Sequence, residues 1–199
     1  MFEPDMALAI VMNPNTGEIY GMGSRPDYDP NNYQNYNQQV LSRNLPIWAT
    51  YEPGSTQKII TTSAAVEEKV VDLDNDLFYD SGSVKVDTAK IKCWKAGGHG
   101  QQTFMEVLQN SCNPGFVKMG QLLGKDRLFS YLDKFGFGAK TGVDLSGEGK
   151  GIIFPLSKVG NVELATTAFG QGISVTPIQQ VTAVSAVVNG GKLYQPYIL

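Results

Sequence analysis

The chain has no cluster of basic residues: 16 Lys and Arg stand against 19 Asp and Glu over 199 residues, a net charge of -3. A nucleic-acid partner is excluded on that ground, because no surface offers a run of phosphate-neutralising cations. An anionic membrane surface is disfavoured for the same reason. No apolar run approaches the roughly 20 residues needed to span a bilayer. The opening MFEPDMALAI has no basic stretch followed by a long apolar one, so no signal peptide is read in this chain. Repeats and low-complexity tails are also missing. Histidine occurs once and cysteine twice, too few to decide the redox compartment.

What is present is ordinary for a globular domain, with 42% apolar and 18% charged residues. The length suits one domain with its own core, taken as residues 1–199. ALAIVM (7–12) and EIYGMG (18–23) flank the turn residues Asn13 to Gly17, which reads as a β-hairpin. Arg25 to Gln39, rich in Asn, Gln, Tyr and Pro, reads as a loop. After Pro53-Gly54, the run IITTSAAVEEK carries helical spacing and places Ser55 at a helix N-terminus. Short strands and turns are expected from Asp72 to Gly100. Thr103 and Glu106 form a capping box opening a helix. Pro114 opens another that ends near Gly124, Lys125 to Lys134 forms a third, and the glycine-rich stretch 136–151 reads as a long loop. Thr176 as N-cap and Pro177 start a last helix, to about Val188. Strands in front with helices between them make a mixed α/β domain.

Ser55 and Lys58 are three residues apart, so on a helix the amine projects beside the hydroxyl. A lysine can serve as the base for a serine only if burial or neighbouring cations lower its pKa towards neutrality. The helix N-terminus favours the oxyanion that forms on attack. A Ser and a Lys at this spacing occur by chance in roughly half of chains this long, so the pair alone decides nothing. Taken alone, the pair is more simply a surface helix start.

The surrounding residues decide it. Tyr51-Glu52-Pro53-Gly54-Ser55-Thr56-Gln57-Lys58 is similar to the active-site signature of class B penicillin-binding proteins, with Arg43-Asn44 upstream. Ser111-Cys112-Asn113 resembles the Ser-x-Asn second motif of that family. Phe169-Gly170-Gln171-Gly172, Thr176-Pro177-x-Gln179 and Asn189-Gly190-Gly191 followed by Pro196 resemble further family segments, in family order and over nearly the whole chain. Gln57 departs from the aromatic residue common at its position.

This resemblance implies a penicillin-recognising serine transpeptidase (β-lactamase-like) fold, a central sheet with helices on both sides. It implies that Ser55 attacks the penultimate D-alanine of a peptidoglycan stem peptide ending in D-Ala-D-Ala, with Lys58 taking the proton. Ser111 then passes a proton to the departing D-alanine, and Asn113 holds the substrate and Lys58. A second stem-peptide amine completes the cross-link, and β-lactam antibiotics acylate Ser55. It further implies a location on the outer face of the cell membrane, an anchor outside this chain and a glycosyltransferase partner. Within the family the likeness is greatest to members serving the spore cortex.

Lys140-Thr141-Gly142 mimics the third family motif, Lys-Thr-Gly, but precedes the late helix and lies in a glycine-rich segment, GFGAKTGVDLSGE. The true third motif and its strands are expected beyond Leu199, leaving the chain truncated, poorly active alone and with an open sheet edge. A serine β-lactamase needs a deacylating Glu followed by Leu-Asn three and four residues on, and none occurs. A non-catalytic β-lactam sensor or interaction module of the same fold is the competing reading.

Cys93, His99 and Cys112 are the chain's only cysteines and histidine, and fall within 20 positions. Thiolate and imidazole suit tetrahedral zinc, although the spacing matches no standard finger. Asp80 is the candidate fourth ligand, with Asp87 behind it. Such a zinc would be structural, holding Ser111 and Asn113 in register, and the acyl chemistry needs no cofactor. A Cys93–Cys112 disulfide and two unpaired thiols are the alternatives. Trp94 and Tyr51 are possible lining residues, with core positions as the simpler expectation. Without the resemblance, Ser111 and Asn113 read more simply as an Asx-type turn before Pro114.

Overall fold

The computed structural model describes residues 4–199. In chain order its strands are β1 (Ala7–Met12), β2 (Ile19–Arg25), β3 (Leu77–Asp80), β4 (Ser83–Val86), β5 (Ala89–Lys92) and β6 (Gly100–Thr103). Its helices are α1 (Gln38–Ser42), α2 (Leu45–Trp48), α3 (Lys58–Glu67), α4 (Phe104–Gln109), α5 (Asn113–Leu123), α6 (Lys125–Lys134), α7 (Asn161–Thr167) and α8 (Pro177–Val188). The mixed α/β character expected from the sequence is what is found. Among the described residues the strands pair as three antiparallel couples, β1 with β2, β3 with β6 and β4 with β5.

The chain divides into two compact units, each drawn from segments that are discontinuous in sequence. Among the described residues, the first comprises residues 4–51, 136–151 and 175–199. Its hairpin runs in register from Ala7 opposite Arg25 to Met12 opposite Ile19, with a bulge at Val11 and Met12. Alternation puts Ile10, Met12 and Met22 on the face packed against a small core of Ile19, Ile47, Val143 and Ile178. α8 begins as expected: Thr176 Oγ1 accepts from the Gln179 N–H, and Gln179 Oε1 accepts from the Thr176 N–H. The same Gln179 donates to Ala139 O at 2.6 Å and Lys150 O at 3.0 Å, gathering the ends of the glycine-rich loop. The loop is further cinched by buried Glu148, whose carboxylate accepts from Thr141 N and Oγ1 and from Gly142 N. Lys140-Thr141-Gly142 is therefore a loop clasp and not a strand, in keeping with its rejection as a catalytic motif. The stretch 25–39, expected as loop, contains a 3-10 helix (Pro30–Asn35) and enters α1. Asp29 caps the 3-10 helix through the Asn31 N–H, and Asn37 caps α1 through Val40.

The second unit, residues 52–135 and 152–174, carries every candidate catalytic and metal-binding residue. Its core is built on α3 (Ile60, Ala64, Ala65), α5 (Phe116, Val117, Met119) and α6 (Leu128, Leu132), all at or near zero exposure. Close approach of α5 to α7 requires Gly120, where an added Cβ would lie 2.6 Å from that of Ala168. Burial of each large core side chain stabilises by about 1.5–3 kcal/mol. α4 opens with the expected capping box of Thr103 and Glu106. α5 ends at Gly124, whose φ of 75° suits glycine. α7 was not anticipated. Its N-terminus is closed by Glu163, which accepts from the Gly160 N–H at 2.9 Å.

Candidate active site

Ser55 lies on a 3-10 turn, Gly54–Gln57, that runs into α3, so Ser55 and Lys58 share one face as the spacing requires. This turn is held from behind by the Phe169-Gly170-Gln171-Gly172 segment. The Gly54 N–H donates to Gly170 O at 2.9 Å, and Glu52 accepts from the Gly172 N–H at 2.8 Å. Gly170 has φ of 86°, and a Cβ there would stand 2.1 Å from Gly54 O. Sequence resemblance marked this segment without giving it a job; in the structure it braces the turn that carries Ser55.

Lys58 is 2% exposed. Its Nζ donates to Ser111 O at 2.8 Å, Ser111 Oγ at 2.9 Å and Asn113 Oδ1 at 2.6 Å. Three acceptors match the three protons of an ammonium group. Ser111 Oγ stands 2.9 Å from Ser55 Oγ, so the hydroxyl of Ser111 lies between the Ser55 hydroxyl and the Lys58 amine. Burial lowers the Lys58 pKa from 10.5 to about 8, partly opposed by the fields of Cys112 and Cys93. Asn113 is no Asx turn: its carboxamide takes Lys58 on one side and reaches Lys92 O at 3.5 Å on the other. Ser111 has φ of 49°, a left-handed conformation that nothing in the sequence announced.

On neutral Lys58 the proton pattern reverses. Two protons stay on Ser111 O and Asn113 Oδ1, and the lone pair is left to accept from Ser111 Oγ. Ser111 can then accept from Ser55, giving a continuous path from the Ser55 hydroxyl to the Lys58 amine. The N-terminal end of α3 adds a favourable field for charge developing beside Ser55.

Asp80, Cys93, His99 and Cys112 come together beneath this site, with one ligand atom of each inside 4.8 Å of all the others. Asp80 Oδ2 accepts from His99 N at 3.0 Å, lies 3.0 Å from His99 Nδ1, and accepts from Cys112 Sγ at 3.3 Å. Cys93 Sγ stands 3.3 Å from the same His99 nitrogen. Burial would raise the Asp80 carboxyl, but hydrogen bonds from Cys93, Gly82 and His99 outweigh it and hold the group well below the usual carboxylate range. Burial pushes Cys112 up to about 12, and raises Cys93 as well. Both are free thiols. Ligand separations in tetrahedral zinc are about 3.3–3.8 Å, so this donor set fits that ion with small adjustments. Asp87 is not part of the cluster; it is exposed and takes Asn161 at 3.3 Å. Nor are Trp94 and Tyr51 core residues, being 68% and 41% exposed.

A serine, a buried lysine and a Ser-x-Asn turn on this fold define a class. The penicillin-binding protein transpeptidase domain model matches residues 7–199, and the chain belongs to that family. Stage V sporulation protein D of Bacillus subtilis is 64% identical over 99% of this chain and 30% of its own length, which bears out the finer likeness to a sporulation member of the family. Escherichia coli peptidoglycan D,D-transpeptidase FtsI is 30% identical over 94% of the chain and 31% of its own length. Among solved structures, penicillin-binding protein 3 from Mycobacterium tuberculosis complexed with aztreonam gives a TM-score of 0.89 at 28% identity, over 98% of this chain and 43% of that one. The chain thus spans about a third of the length of these curated relatives. No helix among the described residues is long and apolar enough to cross a membrane.

Proposed function

We propose that the protein is a serine D,D-transpeptidase that cross-links peptidoglycan stem peptides, in spore cortex synthesis. The observation that carries this is the hydrogen-bonded relay of Ser55, Ser111 and Lys58, fixed by Asn113. Ser55 Oγ bonds to the carbonyl carbon of the penultimate D-alanine while its proton moves through Ser111 to Lys58. The tetrahedral adduct collapses with cleavage of the C–N bond. The proton returns through Ser111 to the departing D-alanine amine, leaving an acyl-serine ester. The amine of a second stem peptide attacks that ester, gives up its proton along the same path, and Ser55 leaves reprotonated. With a β-lactam the cleaved amide lies in the ring, so the amine stays tethered and the ester persists. A glycosyltransferase partner and a site of action on the outer face of the cell membrane complete the reading.

The Asp80–Cys93–His99–Cys112 cluster would hold a structural zinc. Four protein donors leave no place for a reactive water, so the ion's contribution is to tie the Cys93–His99 loop to Cys112 between Ser111 and Asn113. Metal analysis of protein purified without added zinc should find one ion per chain. Metal-free protein with two titratable thiols, or a Cys93–Cys112 disulfide, would overturn this. For the enzyme, the test is incubation of the intact protein with a D-Ala-D-Ala stem peptide and an amine acceptor. Cross-linked product is expected; acylation by a β-lactam with no cross-link under any condition would mark a sensor instead.

A further inference from the structure

Trp94 is 68% exposed, so burial is not what fixes its indole. Its Nε1–H donates to Asn110 O at 2.8 Å, and its ring meets that of His99 edge-on at 5.3 Å. The Asn110 carbonyl and the Ser111 N–H belong to one peptide plane. Rotation of that plane about the Ser111 N–Cα bond is φ of Ser111, which stands at 49°, a region that L residues other than glycine avoid. A peptide flip would relieve it. The N–H edge of the plane is bonded to Leu108 O at 3.0 Å, and the C=O edge is held by Trp94. The next carbonyl, Ser111 O, is taken by Lys58.

We propose that Trp94 is a positioning residue whose indole N–H locks the Asn110–Ser111 peptide, and so keeps Ser111 Oγ 2.9 Å from both Ser55 Oγ and Lys58 Nζ. This rests on the relay role proposed for Ser111 and adds the device that maintains it. Trp94 follows Cys93 directly, so the indole takes its place from the Asp80–Cys93–His99–Cys112 cluster. The sequence of control runs from cluster to tryptophan to peptide plane to hydroxyl. An exposed aromatic next to a catalytic motif invites a different role, as a wall for substrate, and the two roles separate cleanly on substitution.

The test is Trp94→Phe, which keeps an aromatic ring but is smaller and has no N–H donor, beside Trp94→Ala. Acylation of the intact protein by a β-lactam is resolved into the pre-acylation binding constant and the acylation rate constant. Both variants should lower the rate constant by about tenfold, the worth of one hydrogen bond, with binding little changed and melting temperature close to that of the parent. A Trp94→Phe enzyme that acylates at the parent rate would overturn the proposal. So would a pair in which only binding weakens, which is the signature of a substrate wall. A crystal structure of Trp94→Phe supplies an arm free of activity. A rotated 110–111 peptide with negative φ at Ser111 is expected, and an unchanged plane contradicts the lock. If the parent itself is not acylated, the transpeptidase reading fails, while this structural arm still judges the lock.

Discussion

Burial lowers Lys58 from 10.5 to about 8, and that shift dictates how acylation must depend on pH. In the proposed mechanism the base is the neutral amine, so the rate follows its population, rising with pH and levelling off above about 8. At pH 7 an amine with a pKa of 8 is about 9% neutral, whereas one at 10.5 is neutral in about one molecule in 3000. Burial therefore raises the reactive fraction by roughly 300-fold at that pH. The assay is the second-order rate of β-lactam acylation of the intact protein, by stopped flow or quenched mass spectrometry, from pH 5.5 to 9.5. The rate should climb nearly tenfold per pH unit below 7 and bend near 8. Lys58→Arg, which cannot deprotonate in this range, should lose acylation by at least 10³-fold and lose the bend with it. A flat profile in the parent, or the same bend in Lys58→Arg, would refute the assignment of Lys58 as base.

Other consequences can be checked with single variants. Asn113→Ala removes one acceptor from the Lys58 ammonium and the link to Lys92 O; acylation should fall by about 10- to 100-fold, the worth of one hydrogen bond to a charged group, as read from rates at fixed pH. Gly170→Ala puts a Cβ 2.1 Å from Gly54 O at φ of 86°, so it should cost about 2–4 kcal/mol in denaturant unfolding and depress Ser55 acylation together. Gln57 is fully buried with neither carboxamide atom hydrogen-bonded within the protein; Gln57→Met, similar in volume, should stabilise by about 1–2 kcal/mol with activity retained, and a loss of stability would show the amide has a partner.

The parts legible in the sequence are those written in local chemistry. The hairpin followed from alternation around Asn13 to Gly17, and α8 from Thr176, Pro177 and Gln179, each signal lying within a few residues of the feature it sets. The pairing of Ser55 with Lys58 is likewise a matter of one helical turn. Their union with Ser111 and Asn113, more than 50 positions away, was reachable only through resemblance, since no local rule brings α3 against the start of α5. α7 escaped because it is short and has a glycine, Gly160, at its N-cap, so neither a capping side chain at that position nor a long apolar period marks it. The 3-10 helix at Pro30–Asn35 was hidden by polar composition, although Asp29-Pro30 is a start signal in hindsight. Cys93, His99 and Cys112 were found from ligand chemistry, because the chain has only two cysteines and one histidine and their proximity in sequence stood out, and Asp80 followed as the candidate fourth ligand. The positive φ of Ser111 and the brace from Gly170 were invisible, because both are set by contacts made across the fold.

The measurement that bears most directly on Ser55 as the nucleophile is the intact mass of the protein after incubation with a penicillin, for the parent and for Ser55→Ala. One adduct of the drug's full mass on the parent, mapped to the peptide containing Ser55 and missing from the variant, is the expected result. An adduct of equal yield on Ser55→Ala, or none on a folded parent, would contradict it.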